Sequence, residues 1–206
     1  MKIKKLFQYI SIDRNLGLIN QKSCLTFFLI RISNLALSVL FGFGFLIYPK
    51  CLAGYLDADW AGCIDDRKST LGGCFYLGNN LVSWMSKNQN SVSLSMVVAE
   101  YIAGASCCAQ LLWMKKLLQD YGITQDTMCV FCDNMSAINL SKNLVQHSKS
   151  KYIKIRYHFI RDLVENKIVC LEVINTDNQK ADIFTKPLDH PKFEYLRKTI
   201  GVGIIP

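Results

Sequence analysis

The 206-residue chain is half apolar and carries a net charge of +8 at neutral pH, with nine cysteines. That length and apolar content suit one domain of ordinary size plus an extension, with ample material for a core. The cysteines are odd in number, sit in apolar contexts and lack framework spacing, which excludes a disulfide-stapled scaffold and reads as free thiols in a reducing, intracellular (cytoplasmic or nuclear) compartment.

The charge is unevenly placed: residues 1–50 carry about +6, 51–140 about −3, 141–168 about +5, and the remainder about zero. Two basic blocks thus surround an acidic middle, a layout that suits a site collecting metal ions beside a surface collecting phosphate. Within the first block, residues 25–48 read LTFFLIRISNLALSVLFGFGFLIY, long enough to span a bilayer and interrupted only by Arg31. A signal peptide fits badly, because the apolar run starts late and no small-residue cleavage pattern follows closely.

From residue 52 the chain reads as alternating short elements. Residues 52–60 predict a first strand containing Asp57. Residues 72–77 and 81–85 predict a hairpin turning on Gly78-Asn79-Asn80, followed by a polar connection over 86–93. Ser95 is a candidate N-cap for a helix to about Gln119, with Val98, Ile102, Ala105, Cys108 and Leu112 at helical spacing and Glu100 in its second turn. Residues 128–132 predict a fourth strand with Asp133 at its C-terminal end, where α/β sheets present their ligands. A short helix is predicted over 134–143, which Asp133 could cap; its strand-end position allows both that role and a site role. Ile153, Tyr157, Ile160 and Val164 give the stripe of another helix, ending before Asn166. A fifth strand follows over 168–174, then a last helix capped by Thr176 or Asp177, holding Asp182 and closed by Pro187. The sum is an α/β fold, a mixed five-stranded sheet flanked by helices.

Four acidic residues stand at the edges of these elements: Asp57, Glu100, Asp133 and Asp182, each among apolar neighbours. A buried carboxylate is costly unless it is paired or binds a metal. Oxygen ligands of this kind hold hard divalent cations, the machinery of metal-assisted hydrolysis. Each has a plainer alternative: a strand-end aspartate satisfied by backbone donors, a helix-surface glutamate, a helix cap, and a surface ion pair with Lys180 or Lys186. Asp59 shares a strand face with Asp57 and competes with it. The one C-x-x-C, Cys129 and Cys132, has no second pair and is not a zinc ribbon. Beyond Lys149, residues Lys151, Lys154, His158 and Arg161 fall on one helix face, with Lys142 and Arg156 nearby. That face is either a solvated helix surface or a track for phosphates.

The segments around these residues are more specific than their spacing. In order they are YLDADWAG (55–62), DRKSTLG (66–72), SWMSKNQ (83–89), AEYIA (99–103), CDNMSAI (132–138), HSKSKYI (147–153), RYHFIR (156–161) and ADIFTKPL (181–188). Together they resemble the C-terminal ribonuclease H domain of copia-type LTR retrotransposon Pol polyproteins, over residues 48–201. The resemblance implies the ribonuclease H-like fold. It also implies hydrolysis of the RNA strand of an RNA–DNA hybrid with two Mg²⁺ ions, Mn²⁺ being able to substitute. In that scheme Asp57 bridges both ions, Asp182 helps hold the ion that activates water, and Glu100 and Asp133 hold the ion at the leaving 3′ oxygen. Lys149, Lys151, Lys154, Arg156 and Arg161 would track the hybrid backbone, recognised mainly by shape and 2′-hydroxyls. The implied partners are the hybrid and, in a full-length element, the reverse transcriptase and other Pol regions.

The chain departs from that pattern where Leu56 replaces a Ser or Thr and where Met96-Val97-Val98 replaces a polar, acidic approach to the glutamate. No ligand position is lost, but both changes read as drift in a fragment or decayed copy. Residues 15–18 and 48–50 resemble two halves of one family phrase. The apolar stretch between them therefore reads as inserted sequence, with a membrane helix or a buried helix as alternatives. The expected organisation is an extension over 1–48, a ribonuclease H-like domain over 49–201 and a tail over 202–206. Three functions remain open at this point: a metal-dependent hybrid nuclease, a non-catalytic nucleic-acid-binding remnant, and a membrane-anchored protein.

Overall fold

The computed structural model describes residues 51–120, 122–142 and 158–202. The apolar stretch 25–48, the split phrase before it, and Lys149, Lys151, Lys154 and Arg156 lie outside the described residues. Five strands form one sheet: β1 (Leu52–Asp59), β2 (Thr70–Leu77), β3 (Asn80–Asn88), β4 (Met128–Cys132) and β5 (Val169–Val173). Their order is β3-β2-β1-β4-β5. The first three run antiparallel to one another, and β4 and β5 join parallel to β1. Helices α1 (Met96–Asp120), α2 (Met135–Lys142) and α3 (Phe159–Glu165) occupy the connections, and α4 (His190–Thr199) follows the last strand.

Side-chain alternation along β1 decides what each sheet face holds. Leu52, Leu56 and Ala58 are buried in the larger core with Tyr101, Leu111, Met114 and Leu118 of α1. Gly54 lies on the same face, and a Cβ there would stand 2.8 Å from Cys107 Sγ, so the missing side chain lets α1 press against the strand. Helix α1 has the length and apolarity to cross a membrane, yet most of its apolar window is buried inside the protein, as a core helix requires. Leu111 is wholly buried, and cutting such a leucine to alanine costs about 2–5 kcal/mol.

Tyr55, Asp57 and Asp59 point to the opposite face. A smaller core forms there from Cys74, Tyr76, Trp84, Ile183, Phe184, Leu196 and Ile200. Trp84 and Phe184 stack with centroids 5.4 Å apart.

Three expectations are corrected. Strand β3 runs on through Ser86, Lys87 and Asn88, which pair with Gly72, Leu71 and Thr70. The segment holding Asp182 is two 3₁₀ turns, Thr176–Asn178 and Lys180–Phe184, capped by the side chains of Asn175 and Gln179 rather than by Thr176 or Asp177. The last α-helix lies beyond Pro187, as α4, with a proline in its first turn. Helix α2 is capped by Asn134, whose Oδ1 accepts from the Ala137 N–H at 3.2 Å. Asp133 is thereby spared that duty.

Candidate active site

Asp57, Glu100 and Asp182 are 3 %, 4 % and 0 % exposed, and Asp133 is half-buried. Strand β1 carries Asp57 near its C-terminal end. Parallel β4 ends beside it, so Asp133 emerges at the same edge of the sheet. Glu100 reaches that edge from α1, where its Oε1 accepts from the Ala58 N–H at 3.3 Å. The plain surface role for Glu100 is thus excluded.

Asp182 arrives on the second 3₁₀ turn, which packs against β1 and β2. Gly72, paired with Asp57 across the β1–β2 ladder, makes room for it. A Cβ at Gly72 would stand 2.4 Å from Thr185 Cγ2 and 2.8 Å from the Ala181 carbonyl. Gln179 pins the turn further: it is fully buried, its Nε2 donates to the Leu56 carbonyl at 2.8 Å, and its Oε1 accepts from the Ala181 N–H at 3.2 Å. Thr185 donates its hydroxyl to Asp57 Oδ2. Gln179 and Thr185 were not singled out in the sequence, although Thr185 lies within the ADIFTKPL segment.

The electrostatics follow from burying so many acids together. Burial raises the Asp57 carboxyl to about 6, against the Thr185 hydrogen bond and Lys186, with repulsion from Asp182 and Asp133 adding to the rise. Burial and then the charges of Asp57 and Asp133 push Glu100 up to about 9. Lys186 Nζ sits 3.0 Å from Asp182 Oδ1 and 3.6 Å from Asp57 Oδ2, and Lys192 Nζ sits 2.6 Å from Asp182 Oδ2. Asp182 is therefore ion-paired, but deep in the protein and to Lys186 and Lys192. Lys180 lies instead over the rings of Tyr55 and Tyr76, 4.6 and 4.3 Å from their centroids.

Glu100, Cys132 and Asp133 bring ligand atoms within 4.8 Å of one another, a group able to hold a metal ion. Its donors suit a hard divalent cation, because two are carboxylates and burial holds the Cys132 thiol well above its usual range, in the protonated form. The raised carboxyl groups of Asp57 and Glu100 fit such an ion too: they mark more acid than the surrounding donors satisfy. Cys132 itself is an addition to the residues named from sequence, where it stood only as half of a rejected C-x-x-C. Asp59, by contrast, is half-buried and turned toward the loop after β1, where a Cβ on Gly62 would meet its Oδ2.

Leu56, one of the two departures noted in sequence, is buried in the larger core on the α1 face. Arg161 is engaged internally. Its Nε donates to the Leu140 carbonyl at 3.2 Å, and its guanidinium lies 5.9 Å from the Tyr101 ring centroid. His158 Nδ1 is 3.0 Å from the Tyr101 hydroxyl, outside the carboxylate group.

A mixed sheet of this order, with acids gathered where β1 and β4 end side by side, makes the protein a ribonuclease H-like domain. No family model matches the chain. It is 42 % identical over 151 residues to the retrovirus-related Pol polyprotein from transposon TNT 1-94 of Nicotiana tabacum, covering 73 % of this chain and 11 % of that protein. It is 41 % identical over 157 residues to the corresponding polyprotein from transposon RE1 of Arabidopsis thaliana, covering 75 % and 11 %. Among solved structures it is similar to the N-terminal RNase H domain of a Mycobacterium tuberculosis protein, with a TM-score of 0.43 and 9 % identity over 72 % of this chain and 96 % of that one. The chain belongs to the copia-type retrovirus-related Pol polyproteins, as an RNase H-like retrotransposon domain. It spans about a tenth of the length of these two Pol polyproteins.

Proposed function

We propose that this domain cleaves the RNA strand of RNA–DNA hybrids during reverse transcription, with Mg²⁺ (two ions, Mn²⁺ able to substitute) held by Asp57, Glu100, Asp133 and Asp182. The observation that carries the reading is the convergence of four acids from β1, α1, β4 and the second 3₁₀ turn at one sheet edge, two of them with carboxyl groups raised by burial and by one another. Bound there, divalent cations would supply the positive charge that activates a water and stabilises a departing oxygen. Asp57, central among the four, is held in place by the Thr185 hydroxyl. Glu100 is fixed by the Ala58 N–H and so presents a set geometry rather than a free rotamer. Lys149, Lys151, Lys154 and Arg156 supply the cationic surface for the backbone of the hybrid. Arg161 contributes chiefly by bracing α2 against α3.

The domain is proposed to occupy residues 49–201, to work in a reducing intracellular compartment, and to act alongside the reverse transcriptase and other Pol regions of a full-length element. The test is cleavage of a labelled hybrid in Mg²⁺ or Mn²⁺. Asp57→Asn keeps the shape of the side chain and removes its charge, so it should abolish cutting while the protein stays folded; Asp59→Asn should retain most of it. A folded wild type that cuts nothing at saturating Mn²⁺ would instead be the non-catalytic, nucleic-acid-binding remnant.

A further inference from the structure

Lys186 touches two of the four carboxylates at once, and they come from opposite ends of the domain. Its ammonium stands between Asp57 and Asp182, and its side chain is 35 % exposed while theirs are nearly closed to solvent. Burial works against its charge, yet the two acids outweigh that and hold the ammonium above its usual range. We infer that Lys186 is the resident counter-cation of the metal-free site and competes with divalent cations for Asp57 and Asp182. The inference rests on the reading of these acids as metal ligands.

The physical reasons are three. Asp57 and Asp182 repel one another, and a positive charge between them relieves that repulsion. An ammonium on a four-carbon stem is a compact charge that swings toward water at small cost, unlike a planar guanidinium locked by two hydrogen bonds. Lys192 reaches the other oxygen of Asp182 from α4, so that acid stays partly neutralised when Lys186 leaves. A divalent cation and the Lys186 ammonium would repel if both occupied the gap. The cation-competent state is accordingly the one with Lys186 turned out, and apparent affinity falls by the fraction of molecules in that state.

The test measures Mn²⁺ binding by calorimetry on the full chain, with no substrate. Lys186→Met keeps the aliphatic stem and deletes the charge. It should bind Mn²⁺ about tenfold more tightly if the ammonium occupies the gap in about nine molecules in ten. The metal-free variant should melt below wild type and gain more from Mn²⁺ than wild type does. Lys186→Arg should bind Mn²⁺ no more tightly than wild type. An independent reading needs no variant: acetylation of the Lys186 amine in wild type, followed by mass spectrometry, should speed up at saturating Mn²⁺ as the ammonium is released. Unchanged or weaker Mn²⁺ binding by folded Lys186→Met, or labelling that Mn²⁺ leaves unaltered, overturns the inference and leaves the metal site standing. Failure of both wild type and Lys186→Met to bind Mn²⁺ removes the metal-site reading and the inference together.

Discussion

Replacing Glu100 by Gln should make the metal-free protein more stable at neutral and alkaline pH, and leave it unchanged in mild acid. The folded-state carboxyl is raised from 4.5 to about 9, burial being the main cause and the neighbouring Asp57 and Asp133 the next. A carboxyl raised on folding binds a proton more tightly in the native state. Its contribution to stability is therefore complete below pH 4.5 and drains away as pH rises toward about 9. Each pH unit in that window is worth about 1.4 kcal/mol for a single group. Between pH 4.5 and 7 the wild type would lose about 3 kcal/mol from this group. Glutamine keeps a carbonyl oxygen to accept the Ala58 N–H, so the main hydrogen bond survives the change. In a domain of this size about 3 kcal/mol corresponds to roughly 6–12 °C in melting temperature. Thermal melts in chelator from pH 5 to 9 should show the wild-type midpoint falling through the neutral range and the Glu100→Gln midpoint falling much less, the remaining slope coming from Asp57. Saturating Mg²⁺ should flatten the wild-type curve, because cation binding takes the ionised form and expels the proton. A wild-type midpoint that does not fall across the range, or a Glu100→Gln protein equally destabilised at every pH, would show that Glu100 is ionised and satisfied without a cation, and the reasoning would fail.

Other expectations concern how the site is held. Gly72→Ala should cost about 1–3 kcal/mol by overpacking, since its new Cβ would meet Thr185 and the Ala181 carbonyl; Mn²⁺ affinity should fall with it, whereas a purely local defect would lower the melting temperature and leave binding alone. Gln179→Ala should cost about 1–3 kcal/mol by leaving the Leu56 carbonyl and the Ala181 N–H without their buried partner, measured by urea unfolding. Replacing Lys149, Lys151 and Lys154 together by Ala should weaken hybrid binding alike for all sequences and flatten its dependence on salt; an unaltered slope would make that stretch an ordinary solvated surface.

The sheet was largely legible because its strands obey two plain rules. Positions 52, 54, 56 and 58 alternate against 53, 55, 57 and 59, and Gly78-Asn79 marks the hairpin with Gly78 at φ 60°. What escaped notice was set by tertiary contact. Ser86, Lys87 and Asn88 carry no strand signal and are extended because β2 offers them partners. Helix α4 buries only Leu196, so no apolar stripe announced it. The Asp182 segment has helix-like caps, but it is drawn into 3₁₀ turns by Gln179 and by the glycine floor at Gly72. The four acids were findable from their local segments. Lys192 and Cys132 were not, because each joins the group only through an element whose position depends on the folded sheet.

The hydrogen bond from Thr185 to Asp57 joins residues 128 positions apart. A ribosome that has delivered all five strands has made the whole sheet and both ends of its hairpins, yet the acid at the centre of the site still lacks the hydroxyl and the ammonium that restrain it. A stop codon or a protease cut falling between β5 and Thr185 would leave a sheet with the residues of its larger core present, its smaller core without Leu196 and Ile200, and a bare, self-repelling cluster at one edge. Along the chain, completion of the site thus follows completion of the sheet.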